Sequence, residues 1–254
     1  SRGLGDVYKR QSWSLDLIQN LPGLNLSKWI KELEQAVRTE APHLSIYDLT
    51  IEPDTVFGRL HKKGNLNIPI DSEAQKIDLE TNRFLISKGF SRYEISSYSL
   101  PGHASRHNRV YWSGSGWWGF GMGATSAPWG ERFSRPRTIA GYKKWLELQE
   151  SQLLEKTLSI EKSKSMPLDE LLMIGLRRRE GIHLEELAKN AGWTQKKCDK
   201  NLKSLEKFWL NSINEGFLLR HNGRYFLSDP KGMQISNQIL IQMFLWWDSL
   251  DRDQ

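Results

Sequence analysis

The sequence predicts an α/β fold in two parts: a partial (βα) barrel or open sheet over residues 12–130, and a small α+β domain of winged-helix outline over 166–254. Three observations predict it. Short runs of alternating polarity are separated by amphipathic runs at the spacing of parallel βα units. The last 90 residues change character, to helices followed by a hairpin. No run of about 18 apolar residues appears, so no membrane-spanning helix is proposed.

In SWSLDLIQNLPG, residues 12–23, Trp13, Leu15 and Leu17 alternate with Ser12, Ser14 and Asp16, and Pro22-Gly23 stops the strand. Ser27 is the expected N-cap of a helix with Trp29, Ile30, Leu33, Ala36 and Val37 on one face. HLSIYDLT (43–50) is the next strand. A second helix starts near Ser72, carries Ile77, Thr81, Phe84 and Leu85, and ends at Gly89. YEISSYS (93–99) and WGFGMGATS (118–126) are the third and fourth strands, and 131–165 is a polar connector with two helical pieces. Helices follow over 167–178, over 184–192, and from a Thr194 cap towards Asn214. GFLLRHNGRYFL (216–227) turns at Asn222-Gly223, a type I′ signal, and a last helix covers 232–248.

Composition narrows the function. Net charge is +6 and the pI is 9.3, which suits an anionic partner or plain solubility. The N-terminus has no apolar core, so it is not a signal peptide. The single cysteine, Cys198, excludes an internal disulfide or a CxxC metal site and predicts a cytoplasmic setting. Eleven tryptophans must either pack or bind something flat.

The densest chemistry is Ser105-Arg106-His107-Asn108-Arg109-Val110-Tyr111-Trp112. Pro101-Gly102 just before it predicts a loop. His103 and His107 are four apart, but no acid or thiol sits close by in sequence as a third metal ligand. RFSRPRTIAGYKK (132–144) holds five cations and no acid, which reads as a solvated face or as a receptor for carboxylates. Lys196, Lys200, Lys203 and Lys207 make a basic face on the long helix, interrupted by Asp199 and Glu206. A basic helix in a winged-helix outline raises a nucleic-acid reading, whose mark would be steep salt dependence.

SLDLIQNLPG, LSIYDLTIEPDT, YEISSYSLPG, RHNRVYW and DELLMIGLRRREGI together resemble the radical SAM enzymes related to oxygen-independent coproporphyrinogen III oxidase. The resemblance runs from residue 12 to about 248, and RHNRVYW points to its HemW-like branch of haem chaperones. It implies that residues 12–130 are the second half of a radical SAM barrel and that 1–11 is a non-native leader. It also implies S-adenosylmethionine and a [4Fe–4S] cluster in the complete protein. The family's CxxxCxxC loop is absent here, so the chain reads as an N-terminally truncated fragment that is inactive alone.

By the same resemblance Asp16, Thr50, Gly121, Gly123 and Thr125 lie on the S-adenosylmethionine side. The family usually carries histidine where Thr125 stands. His107, Asn108 and Tyr111 become haem candidates, with Trp112 as a flat face and Arg106 and Arg109 as partners for propionates. The plainer reading gives Asp16 to turn amides, Asn108 and His107 to backbone hydrogen bonds, and Tyr111 and Trp112 to the core. Implied partners are haem or porphyrin and haem-acceptor proteins. A homodimer and peripheral membrane contact stay open, and no nucleic acid is expected. The rival within the family is the oxidase reaction itself, oxidative decarboxylation of porphyrinogen propionates.

Overall fold

A computed structural model describes residues 12–128, 130, 132–158 and 166–250. The expected leader, 1–11, and the end of the connector, 159–165, lie outside the described residues. Two compact units emerge: residues up to Ser105 with Asp229–Gln234, and Arg106–Ser228 with Ile235 onward. The division falls at Ser105–Arg106, where the sequence pattern placed it after residue 130, and the RHNRVYW motif therefore belongs to the second unit.

In the first unit, β1 (Ser14–Gln19) and β2 (His43–Asp48) pair in parallel, Ser14 opposite His43 through Gln19 opposite Asp48. Helix α1 (Leu26–Arg38) connects them. Its N-cap is Asn25, whose side chain accepts from the Lys28 amide, and not the expected Ser27. Asn25 is extended, while its carbonyl accepts the first helical bond from the Trp29 amide at 3.0 Å, as an N-cap's does. Asn25→Ala should cost about 1 kcal/mol in urea unfolding and Ser27→Ala close to nothing; equal costs would return the cap to Ser27.

A short helix α2 (Val56–Lys62), with no counterpart in the expected pattern, precedes α3 (Asp71–Ser87). The third expected strand is in fact a hairpin, β3 (Ser91–Glu94) and β4 (Ser97–Ser99). The sheet order is β1-β2-β4-β3, with β4 antiparallel to both neighbours. YEISSYS (93–99), expected as one strand, contains the two-residue turn Ile95-Ser96.

One face of this sheet meets the helices. Leu44, Ile46 and Tyr98 pack with Trp29, Leu33, Ala36, Ile77 and Leu85, and Leu15 and Leu17 join from β1. The Trp29 indole donates to Thr81 Oγ1 at 2.7 Å, so its one polar atom is satisfied inside the core. Period-2 alternation then puts Ser14, Asp16 and Ile18 on the opposite face, paired with His43, Ser45 and Tyr47.

The second unit begins with α4 (Arg106–Trp112), a helix where a loop was expected. Its residues are mediocre helix formers, so packing holds it. A Cβ at Gly114 would lie 2.7 Å from Leu171 of α6 (Leu168–Leu176), which shows how closely the chain leaving α4 approaches α6. The expected fourth strand shrinks to β5 (Thr125–Ser126), paired with β6 (Phe133–Ser134). Positive φ at Gly121 and Gly123 turns the rest into a loop. The connector carries one helix, α5 (Ile139–Leu158), instead of two.

The C-terminal part has winged-helix order: α6, β7 (Ile182–His183), α7 (Leu184–Asn190), α8 (Gln195–Phe208), α9 (Leu210–Asn214), β8 (Leu218–His221) and β9 (Arg224–Leu227). The sheet runs β7-β9-β8, and Asn222-Gly223 turn the hairpin with φ of 48° and 74°, as type I′ demands. Thr194 caps α8 as expected. The last expected helix is broken into α10 (Lys231–Gln234), which belongs to the first unit, and α11 (Ser236–Ser249).

Candidate functional site

In the first unit the sheet face away from the helices is polar. Asp16, exposed at mid-strand, stands opposite Ser45, which in turn stands opposite Ser97 of β4. Beside them runs a hydrogen-bonded row: Ser14 Oγ to His43 Nδ1 at 2.7 Å, and His43 Nε2 to Tyr93 Oη at 2.8 Å. The sequence reading missed Ser14, His43, Ser45 and Tyr93. The alternation of His43, Ser45 and Tyr47 with Leu44 and Ile46 was the available signal.

At the strand ends Gln19 Nε2 and Asn20 Nδ2 both donate to Asp48 Oδ1, at 2.8 and 2.7 Å. Thr50 follows two residues later, exposed. On the polar sheet face Ser14 and Asp16 are exposed while His43, Ser45, Tyr93 and Ser97 are buried, so the Ser14 hydroxyl and the Asp16 carboxylate are the groups that can bond a polar ligand.

Burial holds the His43 imidazole below its usual pKa, against the pull of the Asp16 carboxylate. The unfolded chain then binds the proton more readily, with an ordinary value of 6.5. Stability is complete above that value and falls as pH drops from 6.5 towards the folded pKa. Urea midpoints between pH 7.5 and 5 should decline less steeply in His43→Gln than in the wild type. Parallel pH profiles would assign the acid sensitivity elsewhere.

The second unit gathers the other predicted residues. The His107 ring is exposed and meets Tyr111 edge-on, with centroids 4.8 Å apart. Tyr111 lies 4.8 Å from Trp117, and the Trp117 indole donates to the Thr125 carbonyl at 3.2 Å. His107, Tyr111, Trp117 and Thr125 thus form one connected row. Asn108 is half-buried on the same helix. Gly121 and Gly123 sit in the loop leading to Thr125. A Cβ at Gly119 would lie 2.4 Å from the Thr125 carbonyl oxygen, so that position must be glycine for the loop to fold back. Asp16 and Thr50 belong to the first unit.

Two expectations need correction. One face of Trp112 is taken: the Arg177 guanidinium lies 4.8 Å over its ring. Arg109 is engaged by Glu180 at 3.0 Å, an exposed ion pair, so it is no free propionate partner. Cys198 is buried, and burial pushes its thiol pKa up. It is the one thiol in the chain, so the donors for a [4Fe–4S] cluster are not among these residues. No group of three His, Cys, Asp or Glu able to hold a metal ion occurs among the described residues. Nor is any described helix long and apolar enough to cross a membrane.

The groove between α8 and the hairpin is lined by Glu185, Asp199 and Glu206 as well as Lys203 and Arg220. The basic face that raised the nucleic-acid reading borders a different cavity, lined by Lys196, Lys197 and Lys200.

Comparison with known proteins fits this geometry. The chain is 37% identical over 249 residues to the haem chaperone HemW of Synechocystis, an alignment covering 92% of this chain and 59% of that protein. Along most of its own length the chain is similar to the HemW-like branch of the radical SAM family. The HemW of Lactococcus lactis is 27% identical, with 91% of this chain and 58% of that one covered. A zebrafish mitochondrial radical S-adenosyl methionine domain-containing protein 1 is 29% identical over 90% of this chain and 50% of its own. Among solved structures, the Escherichia coli coproporphyrinogen III oxidase HemN, a radical SAM enzyme, superposes with a TM-score of 0.65 at 14% identity. It covers 91% of this chain and 54% of that one. No protein-family model matches. The HemW-like chain therefore has the radical SAM α/β fold that its sequence predicted, and spans somewhat over half of the HemW relatives it matches.

Proposed function

We propose that this chain is the haem-handling half of a HemW-like haem chaperone, with haem as cargo and acceptor proteins as its destination. The observation that carries the reading is the exposed His107 imidazole at the head of the Tyr111–Trp117 row. A neutral imidazole on an open helix face can ligate haem iron from one side. Tyr111 braces the ring edge, and the aromatic row supplies apolar surface beside it. A single ligand on an exposed helix suits a carrier, because the other haem face stays open for transfer.

Asp16 and Thr50, a pair in the first unit, are proposed contacts for S-adenosylmethionine in the complete protein. The carboxylate and hydroxyl of this pair accept from ribose hydroxyls or an ammonium. S-adenosylmethionine bound to a cluster supplies radical chemistry in such enzymes. This chain provides no thiolate set for that cluster, and no step is derived through it.

The test is a haem titration of the 254-residue chain followed at the Soret band. Saturable binding by a folded chain supports the carrier reading. A folded chain that binds none overturns the placement of the haem site in this half.

A further inference from the structure

We infer that Arg135 and Arg137 form a carboxylate subsite that receives the propionate edge of the haem; the inference rests on the haem reading above. Arg135 is buried, 5% exposed, yet has no carboxylate partner among the described residues. Its Nη1 donates to Ser126 Oγ at 2.7 Å, and its Nε is buried with no acceptor among the described residues. Three aromatic rings surround the guanidinium: Trp145 at 4.8 Å, Phe133 at 5.8 Å and Trp118 at 5.9 Å.

A buried cation without a counter-ion is costly. Ring faces offset part of that cost, and they do so without neutralising the charge. The site therefore keeps a positive potential that an anion would complete.

Arg137 extends that potential to the surface. It is exposed and has no carboxylate partner among the described residues. A Cβ placed on Gly123 would lie 3.4 Å from its Cγ. The backbones agree: Arg135 N donates to the Ala124 carbonyl at 2.9 Å, and Gly123 N to the Pro136 carbonyl at 3.0 Å. Residues 135–137 are thus laced along the glycine loop. On that loop Phe120 is 85% and Met122 49% exposed, two large apolar side chains beside the cations.

The neighbouring arginines lack this freedom. Arg132 is paired with Glu170 at 3.1 Å and Arg109 with Glu180. The pair 135/137 offers what a flat, apolar dicarboxylate needs: guanidinium forks for its acids and apolar side chains for its body. Ser126 and Tyr111 connect to the same β5 loop through Arg135 and Trp117, so the subsite and the His107 row share one framework.

The experiment compares haem with its dimethyl ester, in which both carboxylates are blocked, on the 254-residue wild type and on Arg137→Gln. The wild type should bind haem at least tenfold more tightly than the diester. Arg137→Gln should lose about tenfold for haem, about 1.4 kcal/mol, and nothing for the diester, with the Soret maximum unmoved. Arg135→Lys, checked for folding by circular dichroism, should show the same selective loss.

Equal affinity of the wild type for both ligands overturns the subsite, as does equal weakening of both by Arg137→Gln; in each case the haem reading stands. Failure of a folded chain to bind either ligand overturns both.

Discussion

Replacing His107 by alanine should lower haem affinity at least tenfold and shift the Soret maximum, while far-UV circular dichroism stays unchanged. The ring is exposed and its principal neighbour is the edge of Tyr111, so its removal opens no core cavity. What is lost is the proposed iron ligand, and a changed axial ligand is read directly in the Soret band. Tyr111→Phe retains the edge contact and removes only the phenol. It should leave the Soret position alone and change affinity less than threefold. If His107→Ala binds haem like the wild type with the same spectrum, the ligand lies elsewhere and α4 is structural. If Tyr111→Phe moves the spectrum, the phenol is the ligand.

The second large effect is on stability. Arg92→Ala should destabilise the first unit by about 3–5 kcal/mol, because it removes one partner from a buried charge cluster. Arg92 is 4% exposed. It pairs with Asp78 at 3.4 Å and Asp229 at 3.6 Å, donates through Nε to the Ile95 carbonyl at 2.9 Å, and lies 5.4 Å over the Tyr98 ring. Without the guanidinium two partly buried carboxylates face each other uncompensated. Asp229 opens the segment that returns from the hairpin to this unit, held further by Asn82 at 3.0 Å and by Gln234 on the Gln75 carbonyl at 3.1 Å. Arg92→Ala combined with Asp78→Asn should cost less than the sum of the single changes, since the second removes the orphaned charge. Urea unfolding of the three variants measures both statements, and strict additivity would show that the pair does not interact.

The element pattern was largely legible. Alternation in 12–19 and 43–48, helical spacing in 71–87 and the Asn-Gly turn at 222–223 all report periods that burial on one face imposes on any chain. The misreadings share one cause. The β3–β4 turn, the helix at 106–112 and the shrunken strand at 125–126 are set by what lies across from them. Tyr98 must stand opposite Leu44, α4 must lie on α6, and Gly119 must admit the Thr125 carbonyl.

The same division runs through the site. The motif around His107 was visible as chemistry, and the resemblance it carries gave the family. Its free and occupied arginines were not visible, because whether a guanidinium meets a carboxylate depends on residues far away in sequence: Glu180 takes Arg109, 71 positions on, and Glu170 takes Arg132.

By itself, the sequence determined the α/β pattern, the winged-helix order, the lone thiol and the motif around His107, since local period and residue type are written along the chain. Tertiary structure alone decided that His107 is exposed, that one face of Trp112 is covered, and that Arg135 is buried with no carboxylate partner among the described residues. Exposure and charge pairing are properties of neighbours in space, and only the folded chain chooses them.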